Sequence, residues 1–195
     1  LWLACGHHTL PVPLAQTMWA RGVLAAAGAD VPAGPIALAA AAHRQADGAL
    51  HCAGVPFGAV AQSLLLKTPE GELLCVPLTA AQVQRGGVHG SLQAHIVLSV
   101  LPADAWRLPN SIDLQAAGAL ITATLMAGAL QRLLAMTLQY ANDRAQFGKP
   151  IGKFQAVQQQ LAVLAEQVFA ARMAAELGSA ETDVMPQRLR AAVAK

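Results

Sequence analysis

Tyr140-Ala-Asn-Asp-Arg-Ala-Gln-Phe-Gly-Lys-Pro-Ile-Gly-Lys-Phe-Gln-Ala-Val-Gln158 marks the junction of two helices. Before it, from Leu114 to Asn142, Arg132 is the only charged residue. A helix apolar on nearly all sides is expected to be buried on nearly all sides. After it, Phe154, Val157, Leu161, Leu164, Val168, Ala171 and Ala175 recur at alternating steps of three and four, the stripe of one buried helix face. Gln159, Gln160, Glu166 and Arg172 lie opposite. Pro150 cannot continue the first helix and suits the start of the second. The break carries Arg144, Gln146, Lys149, Lys153 and Gln155, a concentration of polar donors that folding alone does not require.

Two readings of this cluster are open on physical grounds. In the first, amide groups at the start of the second helix favour an anion. Arg144 offers a planar fork to a phosphate, Gln155 a hydrogen bond to a base or a sugar-like hydroxyl, and Phe147 a surface for a ring. In the second, Arg144 pairs with Asp143 or a helix carbonyl, the lysines are solvated, and Phe147 and Phe154 staple the two helices.

The rest of the chain gives the setting. Its 195 residues suffice for one large domain or two small ones. Apolar residues make up 55%, with much alanine and few aromatics, which suits closely packed helices. A net charge of +2 without a basic, aromatic-interleaved run argues against a nucleic-acid partner. Mean hydropathy is +0.43. The most apolar stretch, Ala116 to Leu130, includes Thr122 and Thr124 and falls short of the ~20 apolar residues of a membrane span, so a buried helix is expected. Cys5, Cys52 and Cys75 have no metal or redox spacing and are expected to be reduced structural thiols of a cytoplasmic protein. His7 and His8 are adjacent and point to different helix faces, so no metal site is expected. There is no signal-peptide pattern. The chain opens on Leu1 and closes in a helical pattern at Lys195, and a fragment is expected.

The fold class expected is α+β. A short N-terminal helical remnant (1–34) with Gly28 at its close precedes a small antiparallel β domain (35–110), and part of an antiparallel four-helix bundle (111–195) follows. Strands are expected at Ile36–Ala42, Leu50–Val55, Gln62–Lys67, Leu73–Leu78 and Ala94–Val100, with turns at Asp47-Gly48 and Pro69-Glu70-Gly71. Gly178 is expected to end the second bundle helix, and a third to begin near Asp183 or Pro186.

The stretch from Tyr140 to Ala162 closely resembles the signature of the acyl-CoA dehydrogenase family. There it reads roughly Tyr-Ala-x-x-Arg-x-Gln-Phe-Gly-x-Pro-Ile-x-x-x-Gln-Ala-Val-Gln, then Leu-Ala. Leu10-Pro-Val-Pro-Leu-Ala-Gln-Thr and Arg190-Ala-Ala-Val-Ala-Lys are looser matches, to a helix start of the N-terminal domain and to the next helix of the bundle. The resemblance implies the domain order α, β, four-helix bundle, with the first mostly missing and the last cut about halfway. It implies FAD, with Arg144 and Gln155 toward the pyrophosphate and adenine end of a cofactor held by a neighbouring subunit, and Gln146 and Phe147 lining the same site. The reaction implied is α,β-desaturation of an acyl-CoA thioester, with electrons passed to an electron-transferring flavoprotein. Homo- or hetero-tetrameric association is implied as well, and the fragment alone is expected to be inactive.

Two departures qualify the resemblance. The family's catalytic base lies either on a segment beyond Lys195 or at a position matched here by Gly118, and glycine is no base, so no catalytic residue is assigned. Asp113 is nearby in sequence only. The family's Thr-Glu-Pro-x-x-Gly-Ser-Asp-like turn, which grips the flavin ring, is replaced by Pro35-Ile-Ala-Leu-Ala-Ala-Ala-Ala42. A non-catalytic, flavin-bracing subunit of a hetero-oligomer, or a cofactor-free helical interaction domain, are the competing readings.

Overall fold

In the computed structural model, residues 1–109 and 112–180 are described. By packing they fall into two compact units, one of Leu10–Gly118 and one joining Leu1–Thr9 to the chain from Ala119 onward.

The first unit begins with α2 (Leu14–Ala26), which follows α1 (Trp2–His7) of the other unit. Gly28, with φ 69°, ends the helical stretch as expected. Eight strands follow: β1 (Ile36–Ala39), β2 (His43–Arg44), β3 (Leu50–Val55), β4 (Ser63–Lys67), β5 (Leu73–Pro77), β6 (Gln82–Arg85), β7 (Ala94–Leu98) and β8 (Trp106–Leu108). They form two four-stranded sheets, ordered β1-β4-β5-β8 and β2-β3-β7-β6. Side chains alternate across each sheet. Ala37, Leu64, Leu66, Leu74 and Val76 of the first thus meet Leu50, Cys52, Val55, Ile96 and Leu98 of the second in one core.

Pairing is antiparallel except between β1 and β4, which run parallel in register Ile36↔Ser63 to Ala39↔Leu66. The chain leaves β1, builds β2 and β3 in the opposite sheet, and returns to β4 in the same direction. Strand patterns in a sequence mark strands and not partners, so this pairing was not foreseen. The 63–77 hairpin is as expected, with Lys67 opposite Leu73 and Gly71 at φ 89° in its turn. β2, β6 and β8 were not anticipated, and β1 stops at Ala39 rather than Ala42. β6 is exposed throughout and carries no apolar alternation to read.

The first sheet is buried on both faces, since every residue of β1 and four of the five in β4 and in β5 are buried. α2 lies against β1, where the Ile36 amide donates to Thr17 Oγ1 at 3.0 Å. The Arg44–Glu70 pair, at 2.8 Å, ties β2 to the β4–β5 turn. The guanidinium holds the Glu70 carboxyl down to about 2. Because that value lies below the ordinary carboxylate value, the pair's contribution is present above it and fades as pH falls toward 2. All three cysteines are free and buried, and desolvation pushes the Cys52 and Cys75 thiols up to about 11.

The helical unit is built on α3 (Leu114–Asp143) and α4 (Gln155–Ser179). α1 packs on α3 through two glycines. A Cβ on Gly6 would stand 1.9 Å from the Leu125 carbonyl oxygen, and one on Gly128 would stand 2.0 Å from that of Leu3. α3 is long and apolar enough to cross a membrane by length and composition alone. Its first half carries the buried stripe of a core helix: Leu114, Ala117, Leu120, Ile121, Thr124 and Ala127. All-round burial does not hold. Met126, Leu133, Met136, Leu138 and Tyr140 are exposed because the described residues supply no neighbours for that side. On α4 the expected stripe is the most covered face, with Val168 and Ala175 buried and its other members half-buried. The other face is less polar than its glutamines suggested, for Val163, Phe169, Met173 and Leu177 are exposed there. α4 runs through Gly178, which is buried, to Ser179. The expected third helix lies outside the described residues.

Candidate functional site

The helix junction folds into a tight corner. Two short strands, β9 (Ala145–Gln146) and β10 (Lys149–Pro150), pair antiparallel, with Gln146 opposite Lys149. The two residues between them, Phe147 and Gly148, both have positive φ, 51° and 79°. That is the backbone of a two-residue hairpin turn whose twist suits antiparallel strands. A single 3-10 turn, Ile151–Lys153, leads into α4. Gly152 lets this turn approach the end of α3, since a Cβ there would lie 3.1 Å from the Ala141 carbonyl oxygen. The backbone of Arg144 is fixed at both ends: its amide donates to the Tyr140 carbonyl at 2.9 Å, and its carbonyl accepts from the Ile151 amide at 2.8 Å.

The side chains decide between the two readings of the cluster. Asp143 does not pair with Arg144; its carboxylate accepts from Gln139 at 2.8 Å. Arg144 has no ion pair among the described residues, and the side chains of Gln146 and Gln155 are exposed without hydrogen bonds there. Phe154 at the α4 N-cap supplies no side-chain cap, so the first-turn amides are open to an outside acceptor. From Arg144 to Ala165 there is no acidic residue, and Arg144, Lys149 and Lys153 make the corner cationic. Part of the structural alternative also holds. Phe147 and Phe154 meet edge to face with centroids 6.3 Å apart, and Lys149 Nζ lies 4.4 Å from the Phe154 ring centre. Phe147 is nonetheless 91% exposed on a backbone conformation that disfavours a bulky residue. Neither its turn position nor the Lys149–Phe154 contact was foreseen, although Phe-Gly between short strand-like pairs was a signal for the turn.

This set of donors fits the phosphate-and-ring end of a dinucleotide: a guanidinium without an ion pair among the described residues, two ammonium groups, helix-start amides without a side-chain cap and an exposed ring. It does not fit a flavin ring system at the place where the family grips one. Between β1 and β2 the chain is Ala40-Ala41-Ala42, with no side-chain donor or acceptor. Gly118 sits in α3 with open space around the site of a missing Cβ. Asp113 accepts the Ala116 amide at 3.0 Å and so caps α3.

Residues 115–195 match the family model described as acyl-CoA dehydrogenase, C-terminal domain. The helical part of the chain is thus similar to the C-terminal domain of the acyl-CoA dehydrogenases. The chain is similar to the acyl-CoA dehydrogenase IpdE2 of Mycolicibacterium smegmatis, 40% identical over 74 residues, which are 38% of this chain and 24% of that protein. It is also similar to a 3-sulfinopropanoyl-CoA desulfinase of Paraburkholderia xenovorans, 38% identical over 88 residues, 45% of this chain and 22% of that protein. The matched parts thus span about a quarter of the length of these two relatives. The fold is shared with the ChsE4–ChsE5 complex from Mycobacterium tuberculosis, at a TM-score of 0.75 and 23% identity, over 98% of this chain and 63% of that one.

One substitution separates the turn from its contacts. Phe147→Asn places a residue that tolerates positive φ at the hairpin, relieving about 1–3 kcal/mol of backbone strain. It also removes the edge contact with Phe154, worth about 0.5–1.5 kcal/mol. Thermal unfolding is expected to change little or to rise, and if the corner holds FAD, as proposed below, FAD affinity followed by flavin fluorescence falls. Unchanged affinity in a folded variant removes Phe147 from the site.

Proposed function

We propose that the complete protein is an FAD-dependent acyl-CoA dehydrogenase, an oxidoreductase that desaturates an acyl-CoA thioester between its α and β carbons and passes the electrons to an electron-transferring flavoprotein. The observation that carries this reading is the junction: Arg144, Gln146, Phe147 and Gln155 are all exposed on one cationic corner, and no carboxylate among the described residues neutralises Arg144. In this role Arg144 and the first amides of α4 hold the pyrophosphate of FAD, Gln155 and Gln146 its polar groups, and Phe147 its ring end. FAD supplies the hydride acceptor when bound. The domain order is the end of an N-terminal helical domain (1–34), a middle β domain (35–110) and part of a helical bundle (111–195). We place the protein in the cytoplasm, in lipid or related acyl-CoA metabolism. It works as a homo- or hetero-tetramer whose FAD sites are shared between subunits, so the chain from 1 to 195 is inactive alone.

A second reading is favoured by Gly118 and by Ala40-Ala41-Ala42. A subunit with neither the carboxylate nor the polar flavin turn would brace the FAD of a related partner and leave the chemistry to it. The ChsE4–ChsE5 neighbour is a complex of two differently named chains, which is consistent with such sharing.

The test is the absorbance spectrum of the purified full-length protein, alone and mixed with a related subunit, followed by acyl-CoA thioesters of varied chain and ring structure. Flavin bound by the protein alone and bleached by a thioester supports the enzyme. Bleaching only in the mixture supports the bracing subunit. No flavin under either condition rejects both and leaves a cofactor-free helical interaction domain.

A further inference from the structure

A second concave site lies in the β unit. Its floor is the face of the first sheet that points away from the sandwich core: Ser63 on β4, with Cys75 and Pro77 on β5. One wall is the return from α2, Asp30-Val31-Pro32, and the other is Asp104 and Trp106 at the entry to β8. The cavity measures about 240 Å³. The first wall is held by Arg21, whose Nη2 donates to the Pro32 carbonyl at 3.0 Å and also to that of Ala33.

The lining combines charge, an aromatic surface and a hydroxyl. Asp30 and Asp104 are exposed carboxylates that make no ion pair among the described residues, and no lining residue is cationic. Trp106 is 40% exposed, so its ring is within reach of a ligand. Ser63 is only 5% exposed, lines the cavity, and its hydroxyl has no hydrogen-bond partner among the described residues. Cys75 remains a thiol, its burial pushing it up to about 11, and so adds no negative charge at neutral pH.

We propose that this pocket binds a small organic ammonium ion. Its N–H groups meet Asp30 and Asp104, its carbon chain lies along Val31, Pro32 and Trp106, and the Ser63 hydroxyl offers a further acceptor. Aromatic rings attract cations, and carboxylates on both walls repel the phosphates that the helix junction attracts. The volume is below the roughly 300–1,000 Å³ of sites for drug-sized ligands, which restricts the occupant to a short amine or one lysine side chain. The proposal is independent of the flavin reading.

Titration of the full-length protein with propylamine, read by tryptophan fluorescence and calorimetry, tests it. N-acetyl-lysine methylamide stands in for a protein lysine, and propanol is the uncharged control. Saturable binding of either amine, absent with propanol, is expected. Preference for propylamine assigns a free amine as the occupant, and preference for the lysine amide a protein side chain. Asp104→Asn is expected to weaken binding at least tenfold with unchanged thermal unfolding, and Trp106→Phe to abolish the fluorescence response while calorimetry still detects weaker binding. No saturable binding of either amine, binding equal to propanol's, or undiminished binding by a folded Asp104→Asn variant overturns the proposal.

Discussion

Replacing Arg144 with alanine is expected to weaken FAD binding about 10- to 100-fold, the equivalent of the ~1.5–3 kcal/mol carried by a hydrogen bond to a charged group. The fold should survive. Arg144 is exposed, its side chain makes no ion pair among the described residues, and the two hydrogen bonds that fix its position are backbone bonds that alanine keeps. Circular dichroism and thermal unfolding are therefore expected to match the parent, while flavin fluorescence titration in the presence of the partner subunit shows the loss. Arg144→Lys should recover part of the affinity. Lysine keeps the charge and loses the planar two-pronged geometry. Equal FAD affinity for the parent and a folded Arg144→Ala variant would remove the junction from the cofactor site.

Leu64→Ala is expected to cost about 2–5 kcal/mol of stability, a large share of the ~5–15 kcal/mol typical of a folded domain. Leu64 is 0% exposed at the centre of the sandwich, between Ala37 of β1 and Val76 of β5. β1 offers only alanines, Ala37 and Ala39, to that core, so its side chains cannot swing in to fill the space. The cavity would persist, and residual cavity volume sets the cost. Urea unfolding of the parent and variant measures it. A loss below about 1 kcal/mol would mean that the two sheets close over the gap, and the close packing described for this core would be wrong.

Legibility in the sequence followed physical range. The β4–β5 hairpin was readable because its strands and its Pro69-Glu70-Gly71 turn are contiguous. α4 was readable because its apolar stripe repeats over several turns. The parallel β1–β4 pair was not, since its partners are separated by a hairpin in the other sheet. β8 is too short, and β6 too exposed, for an apolar pattern to form. At the junction the residue types alone suggested an anion and a ring. Whether Asp143 would neutralise Arg144 depended on where Gln139 points, which only coordinates reveal. The acidic pocket was invisible for a further reason: Asp30, Ser63, Cys75 and Asp104 come from four separate segments and carry no motif.

The glycine contacts between α1 and α3 bear on how the molecule is made. Gly6 touches Leu125, and Gly128 touches Leu3, so the helical unit is discontinuous in sequence and the entire β unit is threaded between its parts. During synthesis α1 emerges early and then waits for its docking groove until α3 has left the ribosome. The β unit, complete by then, has every contact it needs to fold ahead of the helices. Contacts across so long a stretch of chain form late because loop closure must precede them. The contact between α1 and α3 therefore closes across the whole β unit, and it can form only after that unit has been made.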